Sequence, residues 1–177
     1  MRHPLDFIPS STRKHIFFGL LIWTLALLAL FQVLNIPLTT TAAPYGIVSH
    51  QLAWTPENSR AILVSWGTRA SLFAAFGLGL DYLFMPSYAL TVAIGTLLAA
   101  GRHKGWFCRT GRWVAYGTFV GVLFDALENI GQALQLLNGT ITVPGTIFIG
   151  ICATIKFTLL LLGVLYGLVG WILPKKN

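Results

Sequence analysis

Apolar and polar positions fall in long blocks along this chain. Four apolar runs, at residues 16–34, 72–100, 113–137 and 146–173, are separated by polar stretches. A helix needs about 20 apolar residues to cross a bilayer, and each run is near or above that length. The pattern predicts an all-α fold: an integral membrane four-helix bundle, one domain over residues 1–177. The second run is too long for the hydrocarbon layer at about 1.5 Å per residue, so tilt or a kink must absorb the excess. Pro86 offers the kink, because it has no N–H for the carbonyl of Tyr82 four residues earlier.

The longest loop, residues 35–70, carries its own helix signal. Thr55-Pro56-Glu57 is a hydroxyl cap, a proline at the first helical position and an acid near the positive helix end. Ile62, Leu63 and Trp66 then share one side. A short amphipathic helix lying on the outer membrane surface is expected here, with a lid over a site as the sharper alternative.

The third run is interrupted by polar groups. Asp125, Glu128 and Asn129 stand at i, i+3 and i+4, on one face of a helix. A carboxylate at the bilayer centre costs roughly 2.5–3.5 kcal/mol even on the mild insertion scale. Partners are needed, and Asp81 in the second run and Lys156 in the fourth supply them. Counted from the outer ends of their runs, these groups lie within about one helical turn of each other in depth. Small residues line up with the polar ones: Gly117 and Gly121 in run three, Gly163 and Gly167 in run four, Gly77 and Gly95 in run two. Such small-xxx-small faces let membrane helices approach closely. Gly121 and Gly163 are expected to face each other.

Composition agrees with a membrane protein. The chain is 55% hydrophobic and 10% charged, where a soluble domain carries about 25% charged residues. The net charge of +7 would suit nucleic acid, but the positives flank the apolar runs, where topology alone puts them. Arg2, Arg13, Lys14, Arg102, Lys104, Arg109, Arg112, Lys175 and Lys176 make nine of the twelve Lys and Arg. Their placement predicts cytoplasmic N- and C-termini and a multi-pass protein of the inner cell membrane. Trp106, Trp113 and Trp171 fall near the inner boundary, Trp54 and Trp66 near the outer one, as aromatic belts do. The first run is longer than the roughly 7–15-residue core of a signal peptide, so it is read as a span, despite Thr41-Ala42-Ala43 as a weak cleavage site. Cys108 and Cys152 should stay unpaired. The partners implied are membrane lipids and a possible second copy of the chain, with no nucleic acid.

Several chemistries fit poorly. No His/Cys set has zinc spacing, so no metal site is assigned. His3, His15, His50 and His103 lie outside the runs, which excludes haem held by paired intramembrane histidines. Gly77-Leu78-Gly79 lacks the strand and spacing of a dinucleotide loop. No cofactor is indicated. The polar cluster itself is informative. With Asp81, Asp125 and Glu128 ionised against Lys156 it would carry −2, which a low-dielectric site rarely tolerates. Protons are shared, or a cation resides there.

Three function classes follow. One is a small-ligand, lipid, cation or proton binder or carrier, using Asp81, Asp125, Glu128 and Asn129, with Lys156 as counter-charge and Tyr82 and Tyr88 alongside. Another is a membrane enzyme on a lipid or isoprenoid-like substrate, with Glu128 or Asp125 moving a proton and Lys156 stabilising an anion. The last is a structural or assembly subunit whose ion pairs fix helix packing. Four spans are few for a monomeric carrier, so a carrier should be oligomeric.

Two segments carry a resemblance. Asp81-Tyr82-Leu83-Phe84-Met85-Pro86-Ser87-Tyr88, then Asp125-Ala126-Leu127-Glu128-Asn129 with a lysine in the last run, resemble a family of small four-span bacterial integral membrane proteins. Gly46-Ile47-Val48-Ser49 and the Trp66 region resemble its outer loop. The likeness covers most of the chain from about Pro44 onward. It implies architecture rather than a reaction, and the family carries an acid where this chain has Gln51. Four-span sterol-isomerase-like proteins also keep acids inside a bundle, an analogy of fold alone.

Overall fold

Where the third apolar run was expected, the computed structural model has a helix with an inverted amphipathic pattern. Ala115, Thr118, Asp125, Glu128, Asn129, Gln132 and Gln135 are buried, while Leu123, Leu127, Ile130, Leu134 and Leu137 are exposed. The structure describes residue 5 and residues 8–175, so Arg2, His3 and Lys176 lie outside it. The elements are α1 (Ser10–Asn35), a 3-10 turn (Ile36–Leu38), α2 (Ile47–Gln51), α3 (Pro56–Ala100), α4 (Trp106–Asn138) and α5 (Val143–Ile172), with no strand among the described residues. Three helical stretches are long and apolar enough to cross a membrane: Ser11–Leu38, Pro56–Ala100 and Val143–Ile172. Large apolar side chains such as Phe18, Ile22, Leu161 and Leu168 are exposed along them. Exposed apolar surface on that scale, with polar groups inside, is the reverse of a soluble protein and suits a hydrocarbon surround.

The loop before α3 is ordered by specific bonds. Asn58 donates its N–H to Thr55 Oγ1 at 3.2 Å, so Thr55 caps α3 as the sequence predicts. The break in α3 falls at Gly67 (φ 53°, ψ −165°). Only glycine adopts that backbone readily. The kink expected at Pro86 is not the break: the chain remains helical through it. The segment before Gly67 is also not a surface anchor. Ile62 and Trp66 are buried with Leu38, Ala43, Ala53, Ala70 and Ala74, and Leu63 packs against that cluster. Trp66 donates its indole N–H to the Leu38 carbonyl at 2.8 Å, which removes it from the aromatic belt proposed for it.

Contacts divide the chain into two units. One holds residues 1–25, 85–122 and 156–177, the other residues 26–84 and 123–155. In the first unit, glycines mediate helix packing. A Cβ at Gly170 would stand 2.9 Å from that of Ala99, and one at Gly163 would run into Val92. The first contact joins α5 to the end of α3, the second joins α5 to α3 about two turns earlier, at Val92. Gly121 approaches Leu159 and the Lys156 backbone, at 3.7 and 3.9 Å from its Cβ position, and Gly167 faces open space. Gly121 and Gly163 do not face each other directly: a Cβ at Gly163 would meet Val92 of α3 and lie 3.4 Å from Thr118 of α4. Buried polar groups here bond to backbone: Thr118 to Ala115 at 2.8 Å, Thr96 to Gly163 at 3.3 Å, His103 to Gly170 at 2.9 Å.

In the second unit, α2 is only five residues long, too short to be stable alone. Asn35, at the end of α1, holds it by accepting the Ile47 N–H at 2.9 Å. The same side chain reaches the Tyr45 carbonyl at 3.4 Å. Trp54, at φ 60°, is the one described non-glycine residue in left-handed conformation. Its ring would meet a Cβ at Gly150 within 2.8 Å, so Gly150 is what lets α5 pass beneath it.

Candidate functional site

The second unit contains a continuous chain of buried polar side chains. It begins on α5 at Thr146, whose hydroxyl donates to the Thr142 carbonyl at 2.9 Å. Its oxygen then accepts from Nε2 of Gln135 at 3.3 Å. That turns Oε1 of Gln135 toward Ser59, whose hydroxyl donates to it at 2.7 Å. Nε2 of His50 lies 3.1 Å from both Ser59 Oγ and Gln135 Oε1. The Ser59 hydrogen is already committed, so both neighbours are acceptors and Nε2 carries a hydrogen. Nδ1 is then the titrating nitrogen. It lies 3.1 Å from Oε1 of Gln132, and the other end of that amide donates to Glu128 at 2.9 Å.

Every member of this chain is enclosed. His50 is 2% exposed, and Ser59, Gln132 and Glu128 are each 0% exposed. The Trp66 ring meets the imidazole edge-on at 5.5 Å, so the residue that closes the loop also holds His50 in place. Burial lowers the His50 pKa from its ordinary 6.5, opposed by the hydrogen bonds of Gln132 and Gln135. Desolvation disfavours the imidazolium, and amide acceptors favour it.

One turn away on α4, Asn129 donates to Oδ2 of Asp81 at 2.8 Å. The Asn129 carbonyl oxygen is buried with no hydrogen-bond partner. A buried acceptor left so costs about 1–3 kcal/mol, and a ligand or water donor would recover it. Asp125 is 2% exposed on the same face. The structure thus brings Asp81 to Asn129 and sets Glu128 into the amide–imidazole chain. Tyr82 is 48% exposed on α3. Tyr88 is buried but belongs to the first unit, as does Lys156. Lys156 is 4% exposed, on the face of α5 shared with Ile149, Cys152 and Ala153.

Of its members only Glu128 was a site residue from the sequence; His50, Ser59, Gln132, Gln135 and Thr146 were not. A usable signal existed for one, since Ser59 stands three residues before Ile62 and seven before Trp66, on the face already marked as apolar. His50 had none, because a five-residue helix is too short to show a period.

Gln135 also lines a cavity of about 430 Å³ between the C-terminal end of α4 and the N-terminal end of α5. Leu127, Ile130, Leu134 and Phe148 form its apolar wall, with Asn138, Thr140 and Thr142 at the polar end. Among the described residues no three His, Cys, Asp or Glu side chains are placed to hold a metal ion. Cys108 and Cys152 are both free. No protein-family model matches the chain, and neither a curated protein nor a solved structure is significantly similar to it.

Proposed function

We propose that this chain is a four-span membrane protein whose second unit holds a proton-binding site used to bind and release a small ligand. In this reading α4 is the fourth span. It crosses beside the three apolar helices because its carboxyl and amide groups face inward and its leucines face lipid. The positive flanks place both termini in the cytoplasm of a bacterial cell, and the outer loop over the site. The observation that carries the reading is the His50–Gln132–Glu128 chain: a base and an acid, both buried, joined by one amide. A buried pair of that kind is acid–base equipment. Asp81 and Asn129 supply the neighbouring polar contacts for a ligand, with the Asn129 carbonyl as the open acceptor. A carrier of this size would work as a homo-oligomer.

A second reading is favoured by the cavity at Gln135. An apolar wall ending in polar side chains suits a lipid or isoprenoid-like substrate, on which Glu128 would act as acid or base. The experiment is proton uptake by purified protein in lipid nanodiscs, with native mass spectrometry of what co-purifies. Wild-type protein takes up protons that a folded Glu128→Gln variant does not. Equal uptake by the two would end the proposal. A retained lipid that is lost on Leu134→Trp favours the enzyme.

A further inference from the structure

The site contains one amide between two titrating groups, and amides have an acceptor end and a donor end. When Nδ1 of His50 carries a hydrogen, Oε1 of Gln132 must face it. The amide NH2 then faces Glu128, which accepts it as a carboxylate. When Nδ1 is bare, the amide turns over. Its NH2 faces Nδ1 and its oxygen accepts the O–H of a protonated Glu128. Both arrangements pair both ends of the Gln132 amide, and both contain one proton. With two protons on the pair, the NH2 can still donate to the C=O of the protonated carboxyl. With none, the oxygen is forced against a lone pair. That conflict is not screened, since all three residues are buried.

We propose that Gln132 is a positioning residue that keeps at least one proton on the His50–Glu128 pair, so that loss of a proton from either opposes loss of a proton from the other. The inference deepens the proton-binding reading and rests on it. In the exchange between the two states the Nδ1–H bond is lost and an O–H bond on Glu128 is gained. The amide keeps both hydrogens and changes only its orientation. Nε2 does not take part, because Ser59 and Gln135 hold its hydrogen.

The other groups near His50 do not supply this coupling. From α3 it meets Ser59 and the Trp66 ring, and Glu57 and Arg60 on that segment are exposed. From α4 it meets Gln132 and Gln135. On α2 itself its neighbours are Ser49 and Gln51, both uncharged. Near Glu128 the remaining acids of the unit are Asp125 on the same helix face and Asp81 on α3, bonded to Asn129.

The test is nitrogen-15 NMR of histidine-labelled protein in nanodiscs, with His50 assigned from a His50→Gln variant. Glu128→Gln removes the second proton site, and the His50 midpoint falls by about one pKa unit or more. Gln132→Met lowers it in the same direction, and adding Glu128→Gln to Gln132→Met lowers it no further. The other end is read independently, since the chain has only two glutamates, Glu57 and Glu128. With carbon-13 glutamate, His50→Gln shifts the Glu128 titration and leaves that of Glu57 unchanged. A His50 midpoint unmoved by Glu128→Gln, or a Glu128 titration unmoved by His50→Gln, overturns the proposal. If one variant fails to fold, the other direction of the pair still decides it. Normal proton uptake without coupling would remove Gln132 and leave the proton site. Coupling without ligand-linked uptake would remove the functional reading instead.

Discussion

The two units of this chain solve the burial of polar groups in opposite ways. In the first, several buried hydroxyl and imidazole groups end on a backbone carbonyl: Thr118 on Ala115, Thr96 on Gly163, His103 on Gly170. Such bonds are local, and the helices meet through glycines at Gly163 and Gly170. In the second, buried side chains bond to one another from four elements: α2, the start of α3, α4 and α5. A backbone acceptor has no alternative state. A side-chain network containing an imidazole and a carboxyl group has several. The first arrangement stabilises helix packing, and the second can also store a proton.

The largest expected effect tests that contrast directly. Gln132→Leu leaves two buried polar groups without their bridge, each costing about 1–3 kcal/mol. A detergent thermal melt should show the largest loss of any variant here. A loss no greater than that of a first-unit hydroxyl would erase the distinction between units. Next comes Gly163→Ala, which drives a Cβ into Val92 and should cost about 1–3 kcal/mol by overpacking. Its control is Gly167→Ala, where nothing lies within 4 Å; this should stabilise the helix by up to about 1 kcal/mol. Gly67→Ala is comparable, at about 1–3 kcal/mol, from backbone strain alone. It should also expose Trp66 to fluorescence quenchers.

The pH response belongs to the second unit. His50 binds its proton less readily folded than unfolded, so stability rises with pH between the two values. The melting temperature should hold above the ordinary value of 6.5 and decline as pH falls below it. His50→Gln should flatten that decline, and a slope that persists unchanged would assign it to another group. The smallest effect is expected for Thr96→Val, about 0.6 kcal/mol for an interhelical bond in a membrane protein.

Much of this could be read from the linear chain. The four apolar runs match α1, α3, α4 and α5 to within a few residues, apart from the earlier starts of α1, α3 and α4, because a hydrophobic period persists over any long helix. Thr55 and Pro56 marked the start of α3, since capping is local chemistry. The polar stripe of α4 was legible, and Asp125, Glu128 and Asn129 are buried as that stripe requires. The partner of Glu128 was not legible. His50 lies 82 positions from Gln132, in a helix too short to carry a pattern. Its burial depends on Asn35 capping α2 and on Trp66 folding inward beyond Gly67. Local propensity and periodicity act over a few turns, so residues alone determined which segments are helical and which faces are polar. Only the folded loop decided that an imidazole from outside the apolar runs would meet the amides of α4, because that meeting depends on long-range packing.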